Sequence, residues 1–329
     1  MEANESVDVS VIVPVYNEQG NLKELFNRLQ MSLLSIDKTS EIVFVDDGST
    51  DDSFKVLQSL ETTQICAKLI RFRRNFGQTA AMAAGLAHSK GKIVVFIDAD
   101  LQNDPYDIPA LLSKLDEGYD VVSGWRQSRK DTLLFKKIPS RIANAMIRKT
   151  SKVNIHDLGC SLKAYRREII EEISMVGEMH RFLPVLAARI GARITEIPVQ
   201  HHPRTYGRSN YGLKRSYKVI LDLMTVQFFH SFSTKPIHLY GGFALISLLM
   251  GLCSGIAVIL MKIFWGTDMT GNPILLLTVL FILITIILAL LGIQSEILVR
   301  IYHQQGRAKQ YYIRETHDLT CQGNTDDSN

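Results

Sequence analysis

The residues best suited to chemistry in this chain are two pairs of carboxylates, each set at the end of an apolar, β-branched run. Asp98 and Asp100 follow residues 93–97, and Asp46 and Asp47 follow residues 42–45. Carboxylates one residue apart can converge on one hard divalent cation, which prefers oxygen ligands and keeps positions for phosphates. Adjacent carboxylates repel each other, so Asp46-Asp47 is better explained by a ligand donor than by stability. Turn capping is the alternative for Asp98 and Asp100, because Asn103-Asp104-Pro105 is turn chemistry. Tyr16-Asn17-Glu18 adds an aromatic ring for stacking and a carboxylate for sugar hydroxyls. Ordinary helix-start chemistry is its alternative. Arg71, Arg73 and Arg74 precede a helix start at Gln78. That suits an anion beside a helix N-terminus, or a solvated charged surface.

The elements that must position these residues alternate in type. Strands are expected over 9–15, 41–46, 67–71, 93–97, 120–126 and 194–199. A helix with Leu22, Leu25, Phe26 and Leu29 on one face follows the first, and residues 78–88 form another. Unbroken β-branched runs are buried on both faces, as in a parallel sheet. The expected fold is therefore α/β, a Rossmann-like, mostly parallel sheet with its polar residues at the strands' carboxyl ends, where such sheets bind ligands. The chain has no G-x-G-x-x-G, so a dinucleotide cofactor is not supported.

The chain has 329 residues, enough for a large domain and a smaller one. A net charge of +4, with no basic stripe interleaved with aromatics, gives no support for nucleic acid. Cys66, Cys160, Cys253 and Cys321 have no metal or disulfide spacing and fit a reducing compartment, or simply small buried hydrophobes. The acidic N-terminus has no apolar signal segment, so the first domain is expected in the cytosol.

The apolar excess lies near the C-terminus. Residues 239–264 and 274–301 each exceed the ~20 residues needed to span a bilayer. Their link, residues 265–273, has no Lys or Arg. The outer flanks carry Lys214, Arg215, Lys218 and Lys235, then Arg300, Arg307, Lys309 and Arg314. The positive-inside rule puts both termini in the cytosol. Residues 211–232 are amphipathic and read as an interfacial helix, or as a core helix. The expected organisation is a catalytic domain over 1–209, a juxtamembrane helix over 210–235, two membrane helices over 236–303 and a cytosolic tail over 304–329. Small residues in the first span would allow close contact, and a homo-oligomer through the spans is expected.

Pro14-Val-Tyr-Asn-Glu18, Val45-Asp-Asp-Gly-Ser49, Asn75-Phe-Gly77, Asp98-Ala-Asp-Leu-Gln102 and Gly124-Trp-Arg126 occur in that order. Together they resemble the inverting family 2 glycosyltransferases of the GT-A fold. More narrowly, they are similar to the polyprenyl-phosphate glycosyltransferases, a group of dolichol-phosphate mannose synthases and bacterial polyprenyl-phosphate glucosyltransferases. The resemblance covers roughly residues 8–230 and continues into the membrane segment.

It implies a metal-dependent, inverting transfer of a hexose, glucose by preference, from a nucleoside diphosphate sugar such as UDP-glucose to undecaprenyl or dolichyl phosphate. The reaction would occur at the cytosolic face of a bacterial inner membrane, among its lipids. Pro14, Tyr16 and Glu18 would hold the nucleoside. Asp46 or Asp47 would contact the base, Asp47 by preference. Asn75 joins this donor set, and Asp98 would face the nucleotide or sugar. Asp100 and Gln102 would bind Mg2+ or Mn2+. Asp157 would orient the acceptor or act as a base.

Residues 126–155 are dense in cations beside an amphipathic face. Arg126, Arg129, Ser140 and Arg141 are candidates for the acceptor phosphate, because guanidinium forks match phosphate oxygens. A solvated basic helix is the alternative. Arg204, Arg208 and Ser209 match the family's basic segment, although its usual lysine is Asn210 here. His201 and His202 have no spaced partner for a metal. The processive Gln-x-x-Arg-Trp is absent near His180, which opposes a polysaccharide synthase. A membrane scaffold with a degenerate domain is the remaining rival, opposed by the complete motif set.

Overall fold

The computed structural model describes residues 7–61, 65–127, 155–173, 175, 179–203, 236–266, 268, 270, 272–304 and 311–319. Eight strands form one sheet: β1 (Val9–Val15), β2 (Ser40–Asp46), β3 (Cys66–Phe72), β4 (Ile93–Phe96), β5 (Val121–Trp125), β6 (Lys163–Arg166), β7 (Ile194–Pro198) and β8 (Ile313–Leu319). Their order is β7-β5-β6-β4-β1-β2-β3-β8. β4, β1, β2 and β3 run parallel to one another. β6 lies antiparallel between β4 and β5, β7 runs parallel to β5, and β8 is antiparallel to β3.

Alternate residues of the central strands feed two cores, one on each face. Val11, Val13 and Phe44 pack with α1 (Leu22–Leu34), α2 (Ser53–Gln58) and α4 (Ile108–Asp116). Ile12, Val43 and Val45 pack with α3 (Gln78–His88), α5 (Arg167–Glu171) and α6 (Leu183–Arg189). Each fully buried Val, Leu, Ile or Phe contributes about 1.5–3 kcal/mol, so both faces must be apolar. That is why the central strands read as unbroken apolar runs. Gly85 lets α3 lie against β1, since a Cβ there would sit 2.3 Å from Ile12 Cγ2.

All six strands expected from the sequence are present, and α3 covers its expected residues. β6 and β8 were not expected. The stretch 304–329 is not all tail, because its residues 313–319 complete the sheet. Cys66 is disulfide-bonded, against the expectation of reduced thiols, while Cys160 and Cys253 are free. Spacing along the chain could not show this bond, because long-range partners are set by the fold.

Residues Met1–Asp222 and Lys309–Asn329 form one compact unit, and Leu223–Ala308 another. The second unit contains α7 (Pro236–Trp265) and α8 (Pro273–Gln304). Both are long and apolar enough to cross a membrane, over Tyr240–Trp265 and Pro273–Ser295. They pack through small residues: Ser254 Oγ and Thr278 Oγ1 are 2.9 Å apart, and Ser247 Oγ donates to the Phe281 carbonyl at 2.9 Å. Large apolar side chains such as Leu249, Ile259 and Leu290 point outward. The expected juxtamembrane helix over 210–235 lies outside the described residues.

Candidate active site

The carboxyl ends of β1, β2, β4 and β5 carry the site. The loop after β1 and the loop after β2 are laced together. Asn17 N–H donates to Ser49 Oγ at 3.0 Å, Glu18 N–H to Ser53 Oγ at 2.9 Å, and Thr50 N–H to Asn17 Oδ1 at 2.8 Å. Asn17 has φ of 56°, a left-handed turn that asparagine tolerates. Pro14 lies within β1 opposite Val45. Tyr16 is 46% exposed. Glu18 Oε2 accepts from Asn21 Nδ2 at 2.6 Å.

At the end of β2, the two carboxylates have different roles. Asp47 accepts from the Phe76 and Gly77 amides, at 2.7 and 2.9 Å, so both its oxygens are engaged. Burial nevertheless pushes its carboxyl up to about 6, against the pull of those two amides. Asp46 is fully buried; its Oδ1 accepts from Ser49 N–H at 3.0 Å. Its Oδ2 has no hydrogen-bond partner, although Arg71 Nε lies 3.4 Å away. Asp47, the preferred base contact from sequence, is thus the anchor of the 73–77 loop. Asp46 holds the open acceptor. Asn75 is exposed on that loop. Gly48 allows the loops to meet: it has φ of +67°, and a Cβ there would lie 2.5 Å from the Arg74 carbonyl carbon.

Beyond β4, Asp98 Oδ1 accepts from Gln78 Nε2 at 2.6 Å. Burial, then the nearby Asp100 charge, pushes the Asp98 carboxyl up to about 6. Asp100 is buried and its Oδ1 accepts from Gln102 N–H at 3.2 Å across Leu101, whose φ is 56°. Among the described residues no group of three His, Cys, Asp or Glu is placed to hold a metal. Asp98, Asp100 and Gln102 each carry oxygen donors on the stretch that follows β4. Oxygen donors of this kind suit a hard cation, and a cation there would relieve the Asp98–Asp100 repulsion.

At the end of β5, Arg126 and Asp157 form a bidentate pair, Nε to Oδ2 at 2.7 Å and Nη2 to Oδ1 at 3.0 Å. The Asp157 carboxylate is occupied by this pair and by Gly159 N–H at 3.1 Å. It is placed to orient Arg126. The other acceptor-side candidates, Arg129, Ser140, Arg141, Arg204, Arg208 and Ser209, lie outside the described residues.

Sequence reasoning missed several residues that hold these groups. Gln78 directly follows the Asn75-Phe-Gly77 motif, which was the available signal. Glu196 accepts from His156 N–H at 2.8 Å and Asp157 N–H at 3.1 Å, fixing the turn that carries Asp157. His201 and His202 clamp the stretch after β4: His201 Nδ1 lies 3.1 Å from the Gln102 carbonyl, His202 N–H donates to that carbonyl at 2.9 Å, and His202 Nε2 lies 2.9 Å from Asp104 Oδ2. Lys163, buried on β6, donates to the Leu158 carbonyl at 3.1 Å. Burial pulls its ammonium down to about 8.

The family model for glycosyl transferase family 2 matches residues 10–174. The chain is 37% identical to a dodecaprenyl-phosphate galacturonate synthase of Rhizobium johnstonii, over 95% of this chain and 94% of the relative. It is 36% identical to an undecaprenyl-phosphate 4-deoxy-4-formamido-L-arabinose transferase of Klebsiella pneumoniae, over 93% of this chain and 92% of the relative. A crystal structure of glucosyl-3-phosphoglycerate synthase from Mycobacterium tuberculosis, with Mn2+, UDP and glucosyl-3-phosphoglycerate, superposes with a TM-score of 0.51 at 21% identity. It covers 67% of this chain and 79% of that one, a likeness of fold. The ordered strand-end motifs, the eight-stranded GT-A-like sheet and these relatives agree, and the chain belongs to glycosyl transferase family 2, in its polyprenyl-phosphate sugar transferase group.

Proposed function

We propose that this enzyme transfers one sugar from a UDP-sugar to a polyprenyl phosphate at the cytosolic face of a membrane, inverting the anomeric carbon. The observation that carries the reading is that β1 lies between β2 and β4, all parallel, so the three adjacent carboxyl ends carry Tyr16, Asp46, Asp98 and Asp100. Asp46 Oδ2, buried without a hydrogen-bond partner, suits a base that presents a ring N–H, as uracil does. In this reading Tyr16 stacks on that base, with Pro14 and Glu18 beside the nucleoside. Mg2+ or Mn2+ held by Asp100 and Gln102, beside Asp98, would stabilise the charge of the departing diphosphate.

The acceptor phosphate needs little activation. A phosphate monoester is largely ionised at pH 7, its second pKa being about 6. Its oxygen bonds to C1 as the bond from C1 to the diphosphate oxygen breaks, and UDP leaves. Arg126, oriented by Asp157, is the cation that meets the acceptor phosphate, joined by Arg129, Ser140, Arg141, Arg204, Arg208 and Ser209. The two long apolar helices suit a lipid acceptor. The spans are proposed to pair between copies.

The sugar is proposed to be a modified pyranose, because the relatives' names carry galacturonate and 4-deoxy-4-formamido-L-arabinose. Glucose, expected from the sequence, has no support in those names. Purified protein with undecaprenyl phosphate and Mn2+ should be offered UDP-glucose, UDP-galacturonate and UDP-4-deoxy-4-formamido-L-arabinose. One donor should give a metal-dependent lipid carrying a single sugar. A polymer product, or no product from any donor, would overturn the reading.

A further inference from the structure

β8 is the strand that follows α8, yet it belongs to the catalytic sheet and touches β3 and the loop beyond it step by step. Glu315, opposite Arg71 in the ladder, accepts from Arg71 Nη1 at 3.1 Å. The same guanidinium lies 3.4 Å from Asp46 Oδ2 and 4.5 Å above the Phe54 ring. The Tyr312 carbonyl accepts from Arg73 N–H at 3.0 Å. Tyr311 stacks on Phe72 with centroids 5.1 Å apart, and Tyr312 lies 6.1 Å from Phe76. Phe76 and Gly77 supply the two amides that anchor Asp47. Both carboxylates at the end of β2 are therefore held, at one remove, by β8.

We propose that β8 is a working part of the donor site: Glu315 positions Asp46 through Arg71, and Tyr311 and Tyr312 position the 73–77 loop that anchors Asp47. Glu315 and the two tyrosines are positioning residues. This rests on the assignment of Asp46 and Asp47 to the donor nucleotide. A strand that only covered the β3 edge would protect the sheet from mispairing. It would need no ion pair aimed at Asp46 Oδ2, a buried carboxylate oxygen left without a hydrogen-bond partner. The Glu315 carboxylate of β8, and the Tyr311 and Tyr312 rings just before it, all lie against the site end of β3. At the other end β8 offers Asp318, 3.8 Å from Lys68 and largely exposed.

The test uses the full chain in detergent, with Glu315→Ala, Glu315→Gln, Tyr312→Ala and, as a control in the same strand, Asp318→Asn. The first readout is the affinity for UDP with Mn2+, by calorimetry, beside KM for the lipid acceptor. The second is amide hydrogen exchange over residues 73–77 without nucleotide. Glu315→Ala should weaken UDP about three- to tenfold, the range set by losing one partly exposed charge-assisted contact. KM for the acceptor should stay unchanged. Glu315→Gln, which keeps an acceptor oxygen, should recover most of the affinity, and Asp318→Asn should match the unaltered protein. Tyr312→Ala should speed exchange at Phe76 and Gly77.

Unaltered UDP affinity in Glu315→Ala, or an equal loss in Asp318→Asn, overturns the proposal. If the unaltered protein binds no UDP, the donor reading fails separately. Exchange then decides: faster exchange at 73–77 in Tyr312→Ala supports the brace, and unchanged exchange removes it. Should Glu315→Ala melt below the assay temperature, the exchange at residues 73–77 in Tyr312→Ala decides.

Discussion

Arg126 and Asp157 are both nearly buried, with side chains 9% exposed, and each satisfies the other. Removing one partner of such a pair leaves an uncompensated charge, at a cost of about 3–5 kcal/mol. Arg126→Met should therefore destabilise the fold more than Arg126→Met combined with Asp157→Asn, as read by thermal melts. In turnover, the losses from Arg126→Met and Asp157→Asn should coincide rather than add, because both remove one oriented guanidinium. Additive losses would return a separate role to Asp157, that of a base. Asp47 and Asp98 give a pH prediction of opposite sign for stability and binding. Burial raises both carboxyls to about 6. Between the ordinary carboxylate range and about 6, the folded state holds protons that the unfolded state has lost. Stability without ligand is thus lost as pH rises through 6. Donor binding needs the charged carboxylates and should run the other way, weakening as pH falls from 7 to 5. Melting and UDP titration across that window should show the two trends crossing. Asp100→Asn should abolish turnover while leaving the melting temperature within a few degrees; retained activity would remove the metal assignment.

At the scale of elements, the site depends on loops that are short and tied to each other. Gly48 is the tightest joint. Alanine there would need a left-handed backbone, costing about 1–3 kcal/mol, and would push its Cβ into the Arg74 backbone 2.5 Å away. Gly48→Ala should lower stability by at least that amount and weaken UDP, measured by melting and calorimetry; an unchanged affinity would show that the loops tolerate separation. The central strands and the residues at their ends were legible because burial on both faces forces long β-branched runs. The edges were not. β6 is four residues, Lys163-Ala-Tyr-Arg166, and its cations hide it from any apolar pattern. β8 reads Ile313-Arg-Glu-Thr-His-Asp-Leu319, a polar edge strand with no apolar side chain between its first and last residues. The clamps Glu196 and His202 were equally hidden, because their partners lie 40 and 98 positions away in sequence. The strand-end residues proposed to meet the donor could be named from the sequence, whereas what holds them in place could not.

For the whole molecule, β8 constrains how the chain can lie across a bilayer. β1 and β8 belong to one sheet, and α7 and α8 lie between them in the chain. A backbone cannot complete a sheet from the far side of a membrane. If α7 crosses, α8 must cross back, so an even number of crossings is required whatever the lipid. The link between the helices, with Trp265, Gly266 and Asp268 and no Lys or Arg, is then the one part of the hairpin exposed on the opposite face. The Lys and Arg residues on the outer flanks favour the cytosol for the sheet side. Single cysteines at Asp268 and at Asp318, in a chain otherwise free of accessible thiols, should differ in sealed vesicles or spheroplasts. A membrane-impermeant maleimide applied outside should label position 268 and spare position 318 until the membrane is opened. Labelling of both from outside, or of neither, would mean the helices do not form a membrane-crossing hairpin, and the lipid acceptor would then have to reach the Asp98–Asp100 edge by some other path.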